Sequence, residues 1–290
     1  MALPTLESIL IALDWAVQGA GALVILLFAV RAVRSRAWRE PFPGLAVLQG
    51  PDIIQVAAIL MVYVLLAFAL QFVVQWRLAG AAGPLETGSR AWHAAYAADS
   101  TAKLVACVLI IGILRTRPGA AFSPPRLRWH QVAILAVPAT LAILVATSAM
   151  YHGLVWLWRV VEPGYVPDQH AVLEALQDDP MPPVGTWHLF AQAVLVAPLV
   201  EELFFRGLLL EAALRYLRRP GVAIATSAVL FGLVHYGVPM SVLPLTAMGL
   251  ALGYLRVRYG SLGMCIAVHV LFNLRTMLYA LLAPDLLNEP

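Results

Sequence analysis

Apolar runs of bilayer-crossing length recur along nearly the whole chain, divided by short polar stretches. A spanning helix needs about 20 apolar residues, because each residue rises 1.5 Å through a hydrocarbon layer about 30 Å thick. Eight segments follow this pattern: 9–30, 53–76, 91–114, 132–158, 187–217, 222–236, 241–255 and 262–282. Between them, Glu40–Gly50, Arg77–Ser89 and Pro118–Arg128 hold Pro and Gly among polar residues and read as loops. The longest polar segment, Val161–Pro183, carries Glu162, Asp168, Glu174, Asp178 and Asp179. The pattern predicts an all-α polytopic membrane protein of about eight transmembrane helices, with lipid as the solvent for most side chains.

Charge placement orients this array. Basic clusters follow the first, third, fifth and seventh segments: Arg31/Arg34/Arg36/Arg39, Arg115/Arg117, Arg215/Arg218/Arg219 and Arg256/Arg258. All four fall on one side if both termini lie outside, which the positive-inside rule makes the expected topology. The acidic 161–183 segment then lies on the opposite, non-cytoplasmic side. Pro138 marks a kink in the fourth segment, and Trp156 and Trp158 sit where an interfacial aromatic belt belongs.

Composition agrees. Hydrophobic residues make up 61% and charged residues 12%, against about 25% charged in soluble domains. No basic run is interleaved with aromatics, so a nucleic-acid partner is excluded. The N-terminus lacks a basic region before an apolar stretch long enough to span, so no cleaved signal peptide is expected. Eighteen of the 19 basic residues are arginine, and Lys103 is the sole lysine. That Ala/Leu/Arg-rich composition suggests a bacterial origin, and hence the cytoplasmic (inner) membrane. Asp99 and Lys103 are four apart and should pair on one helix face. Cys107 and Cys265 lie in apolar runs and read as small core residues. His170 and His188 have no companions at metal-ligand spacing.

The candidate chemistry sits in the last third. Glu201 and Glu202 are adjacent carboxylates inside an apolar run, where a bare charge costs about 2.5–3.5 kcal/mol on insertion scales. Counted from the arginine-marked ends at 1.5 Å per residue, Glu201 lies about 21 Å deep. His235 lies about 22 Å from Pro220, and His269 and Asn273 about 16 and 22 Å from Arg258. Three helices thus bring polar residues to one level. Glu202 and Arg206 are four apart, in the favourable order for an ion pair. Glu201 is turned about 100° away and is left to face the other polar groups, as a general base would. His235 and His269 could share a water or a metal with Glu201. His269 and Asn273 share a helix face. Interhelical hydrogen bonding alone would also account for any one of these residues. Gly249 and Gly253 have the spacing of close-packed helices.

Three stretches, Glu201-Glu-Leu-Phe-Phe-Arg-Gly207, Phe231-Gly-Leu-Val-His235 and His269-Val-Leu-Phe-Asn273, resemble the motifs of the CPBP intramembrane proteases. These are the CAAX-processing and bacteriocin-processing enzymes, also called Abi or type II CAAX prenyl endopeptidases. The resemblance covers about Ala191–Leu282. It divides the chain into N-terminal helices (1–185), without a motif, and a catalytic core (186–290) in the C-terminal four helices. It implies an endopeptidase acting on a membrane-associated peptide or protein. Glu201 would activate water with His235. His269 and Asn273 would stabilise the oxyanion or help hold a metal. Glu202 and Arg206 would support or orient. A divalent metal, zinc, held by Glu201, His235 and His269, is the cofactor the family's metalloprotease label implies. A non-catalytic scaffold or bacteriocin-immunity protein, and a proton-coupled transporter relaying through Glu201 and His235, are the competing readings.

Overall fold

The computed structural model describes residues 6–35, 50–79, 89–116, 127–167, 172–173 and 183–282, and every extended element in them is a helix. The helices are α1 (Leu6–Ser35), α2 (Ile53–Val74), α3 (Arg90–Arg115) and α4 (Trp129–Val161), then α5 (Pro183–Ala191), α6 (Ala197–Glu202) and α7 (Leu210–Leu217). They continue with α8 (Pro220–Leu233), α9 (Pro239–Tyr259) and α10 (Leu262–Leu282). Most of the three expected loops, and of the acidic 161–183 segment with His170, lies outside the described residues. The helix of α2 runs on through Gln75–Ala79, so Arg77 and Leu78 belong to it rather than to a loop.

By length and composition, six described helices can cross a membrane: α1, with its first two residues left aside, α2 with most of its extension, α3, α4, α9 and α10. The chain is an integral membrane protein. Large apolar side chains such as Leu26, Leu65, Phe68 and Phe72 face outward, as a lipid-facing surface requires. Trp156 and Trp158 are also exposed.

Two expected spans come out differently. The fifth is not one regular helix. It is α5, α6 and α7 joined by π-helical turns at Gln192–Val196 and Leu203–Leu209. The sixth, α8, has 14 residues and ends at Leu233, so it is about 21 Å long. His235 therefore stands in the turn after α8, not within a span.

The α5–α7 strip lies between two packed groups. On one side, Val56 and Ile59 of α2 and Cys107, Ile110 and Leu114 of α3 pack with Val200, Leu203 and Leu208. On the other, α4, α9 and α10 share a core of Ala136, Ile143, Met248, Leu252, Cys265 and Val268. Helix α8 lies along α9, and glycines allow the approach. A Cβ on Gly249 would stand 2.9 Å from Ala228 Cα, and one on Gly253 would stand 2.9 Å from Ile224 Cγ2.

Polar ties fix the ends of the strip. Arg215 donates to Gly50 O (3.1 Å), and Tyr216 donates to Asp52, the N-cap of α2. The end of α7 and the start of α2 therefore lie against each other. Buried Glu211 pairs with buried Arg256 and clamps α7 to α9. Asp14 of α1 pairs with Arg275 of α10.

Candidate active site

The two π turns bracket α6, which ends in Glu201-Glu202. A π turn shifts the backbone bond from i−4 to i−5, and such turns are frequent at functional sites. Here the shift has a specific consequence. The Ala197 N–H bonds Gln192 O instead of Ala193 O. The next residue, Pro198, has no N–H to offer. Ala193 O is thereby released, and the Asn273 side chain of α10 donates to it at 2.8 Å. The second π turn sends the Leu210 N–H to Phe205 O, which also accepts from Ser227 of α8 at 3.0 Å.

The neighbouring carboxylates occupy different surroundings. Glu202 is fully buried. Its Oε1 accepts from Arg206 Nη1 at 2.7 Å and from His269 Nδ1 at 2.8 Å. Glu201 keeps 24% of its side chain exposed, and its Oε2 lies 3.8 Å from His269 Nε2. The helical argument that pairs Glu202 with Arg206 and leaves Glu201 outward matches this geometry. Arg206 also reaches Gly249 O at 3.4 Å, and its guanidinium lies 4.4 Å from the centroid of the Phe231 ring.

The hydrogen bonds define both imidazoles. Since a carboxylate only accepts, His269 Nδ1 carries the proton, leaving Nε2 towards Glu201. His235 Nδ1 faces the Phe231 carbonyl at 2.8 Å, so its Nδ1 donates and its Nε2 is the open position. Phe231, with no exposed surface, touches Arg206, His235 (5.1 Å between centroids) and His269 (5.8 Å, edge-on). The structure brings Glu201, Glu202, Arg206 and His269 into direct contact. Asn273 joins them through the α5–α6 backbone, and His235 through the Phe231 ring.

The expected zinc set fits this arrangement poorly. Glu201 and His269 could reach one ion, but a protein zinc site needs at least three ligands. Among the described residues no three His, Cys, Asp or Glu side chains gather at metal-holding distances. His188, by contrast, has a structural partner in Ser100, 3.4 Å away. Cys107 and Cys265 lie in the two packed groups.

Several contributors escape the motif reading. Gly249 offers its carbonyl as well as its small size. Phe231 is a shared surface rather than filler. Tyr63, Asp99 and Gln192 form a hydrogen-bonded cluster along the strip. Pro198, inside an apolar run, is the signal that could have revealed the freed carbonyl.

Residues 183–275 match the model of the Rce1-like family, type II CAAX prenyl endopeptidases. The matched segment starts at α5 and ends just past Asn273, so it holds all six candidate residues. This part of the chain is similar to that family. No curated protein and no solved structure matches the chain. The similarity is thus to a family of endopeptidases, and it covers the segment from α5 to α10.

Proposed function

We propose that the protein is an intramembrane endopeptidase that hydrolyses a peptide bond of a membrane-associated peptide or protein, with Glu201 as general base. The observation that carries this reading is the contrast between the two carboxylates. Glu202 is buried and held by Arg206 and His269, while Glu201 is open and unclaimed by a cation. Glu201 takes a proton from water as the water oxygen attacks the carbonyl carbon, and His235 Nε2 accepts a second hydrogen bond from that water. The carbonyl electrons move to oxygen, which receives an N–H bond from the remaining amide hydrogen of Asn273. Glu202, accepting from His269 Nδ1, fixes that ring with Nε2 towards Glu201. Glu201 then returns its proton to the leaving nitrogen, the C–N bond breaks, and a carboxylate and an amine separate. Glu202 and Arg206 act as positioning residues. Since the donors do not assemble as a zinc set, no step runs through a metal.

The test uses purified protein in liposomes and a quenched-fluorescent prenylated CAAX peptide. Glu201→Gln should fold with an unchanged unfolding temperature and lose cleavage by at least about 100-fold, the usual worth of a general base. Full turnover in that variant would sink the mechanism. A zinc chelator should leave the wild-type rate unchanged; a loss restored by zinc would overturn the metal-free route.

The same reading places the protein in a bacterial cytoplasmic membrane with both termini outside. What supports it is the four basic clusters together with the Arg215–Gly50 tie, which joins two ends that the pattern assigns to the cytoplasm.

A further inference from the structure

A second polar cluster lies from Glu201 towards the α5 end of the strip, built largely from helices outside the matched family segment. Asp99 of α3 is its centre. It accepts from Lys103 Nζ at 2.6 Å, from Gln192 Nε2 at 2.6 Å and from Tyr63 of α2 at 3.3 Å. Asp99 offers only acceptors, so the Gln192 amide nitrogen must face it and Oε1 must point away. Gln192 is 6% exposed, and Oε1 has no partner among the described residues. A buried amide oxygen left in this state is destabilising until a donor arrives. Lys103 uses one of its three N–H groups on Asp99 and keeps 19% of its side chain exposed.

The cluster is continuous with the catalytic residues. Gln192 adjoins Ala193, whose carbonyl holds Asn273. Tyr63 packs against the group containing Val200 and Leu203, which flank the two glutamates. The helices share a register. Leu114 meets Gly207 and Asp99 meets Gln192, so α3 and the strip advance in parallel by the same number of residues. From this register, Lys103 lies about 7 Å and Gln192 about 13 Å beyond Glu201 along the helix axis. An extended peptide covers those distances in about two and four residues.

We propose that Gln192 and Lys103 form a subsite for the main chain of an extended peptide substrate. Gln192 Oε1 accepts a backbone N–H, the Lys103 ammonium donates to a backbone carbonyl, and Asp99 and Tyr63 position both. The inference rests on the protease reading above.

Lys103 is the sole lysine, so an amine-selective reagent reports on it once peptide mapping separates the α-amine. Full-length Glu201→Gln protein in nanodiscs is labelled with and without the quenched prenylated CAAX peptide. At ten times its Kd the peptide should slow labelling about tenfold. In the otherwise wild-type enzyme, Gln192→Ala should raise KM about tenfold with kcat within about twofold. Lys103→Ala should do the same, and Lys103→Arg should restore binding. Cleavage of the peptide without protection of Lys103 overturns the subsite and leaves the protease reading intact. Protection without wild-type cleavage supports the subsite and overturns the protease reading. A Lys103 that never labels overturns the subsite, and absence of both protection and cleavage overturns both. Parallel falls in kcat and unfolding temperature for Gln192→Ala would reduce the cluster to a structural role.

Discussion

Arg206 shows how one residue sets the character of this site. Its guanidinium is fully buried, yet it meets Glu202, the Gly249 carbonyl and the Phe231 ring. Removing one partner of a buried pair strands the other charge, which typically costs about 3–5 kcal/mol. Arg206→Met should therefore lower the unfolding temperature sharply in detergent and abolish cleavage, whereas Glu201→Gln should affect cleavage alone. Equal stability of the two variants, read by thermal unfolding, would contradict the division of labour between the carboxylates. That division is legible in the linear chain, because a four-residue spacing pairs Glu202 with Arg206 and turns Glu201 away. The role of Phe231 is not legible, since an apolar ring in an apolar run carries no mark of what it touches.

At the scale of the element, the broken fifth helix matters most. The first π turn and Pro198 leave Ala193 O without a backbone donor, and Asn273 takes that place. Asn273→Ala should leave a part-buried carbonyl without its donor, at up to about 1–3 kcal/mol, and should also weaken cleavage. Thermal unfolding and turnover measured together check this. Unchanged stability would mean that the carbonyl finds another donor. Hydrophobic periodicity reads this stretch as one continuous span, because the π turns are as apolar as the helices they join apart from Gln192 and Arg206. The short α8 was likewise overestimated: apolar residues run on to Tyr236, but the backbone turns after Leu233 and sets His235 in that turn.

For the whole molecule, the α5–α7 strip is held from both sides. The α2–α3 pair grips it through apolar packing and the Asp99 cluster, and α9 and α10 grip it through Gly249, Arg256, His269 and Asn273. Asp14 ties outlying α1 to α10, which carries His269 and Asn273. With both termini outside, a reporter active only in the cytoplasm should be silent when fused after Leu282 and active when fused in the loop after Arg215; the reverse pattern would refute the topology. The sequence by itself determined the helical membrane class and nominated a sidedness and six candidate residues, because bilayer length, arginine placement and short-range helical spacing are linear properties. Only the tertiary structure decided that His269 bridges the two glutamates, that His235 is reached through Phe231, and that α2 and α3 extend the polar lining. Those facts depend on how helices distant in sequence rotate and press together, and no period along one strand of text encodes that rotation.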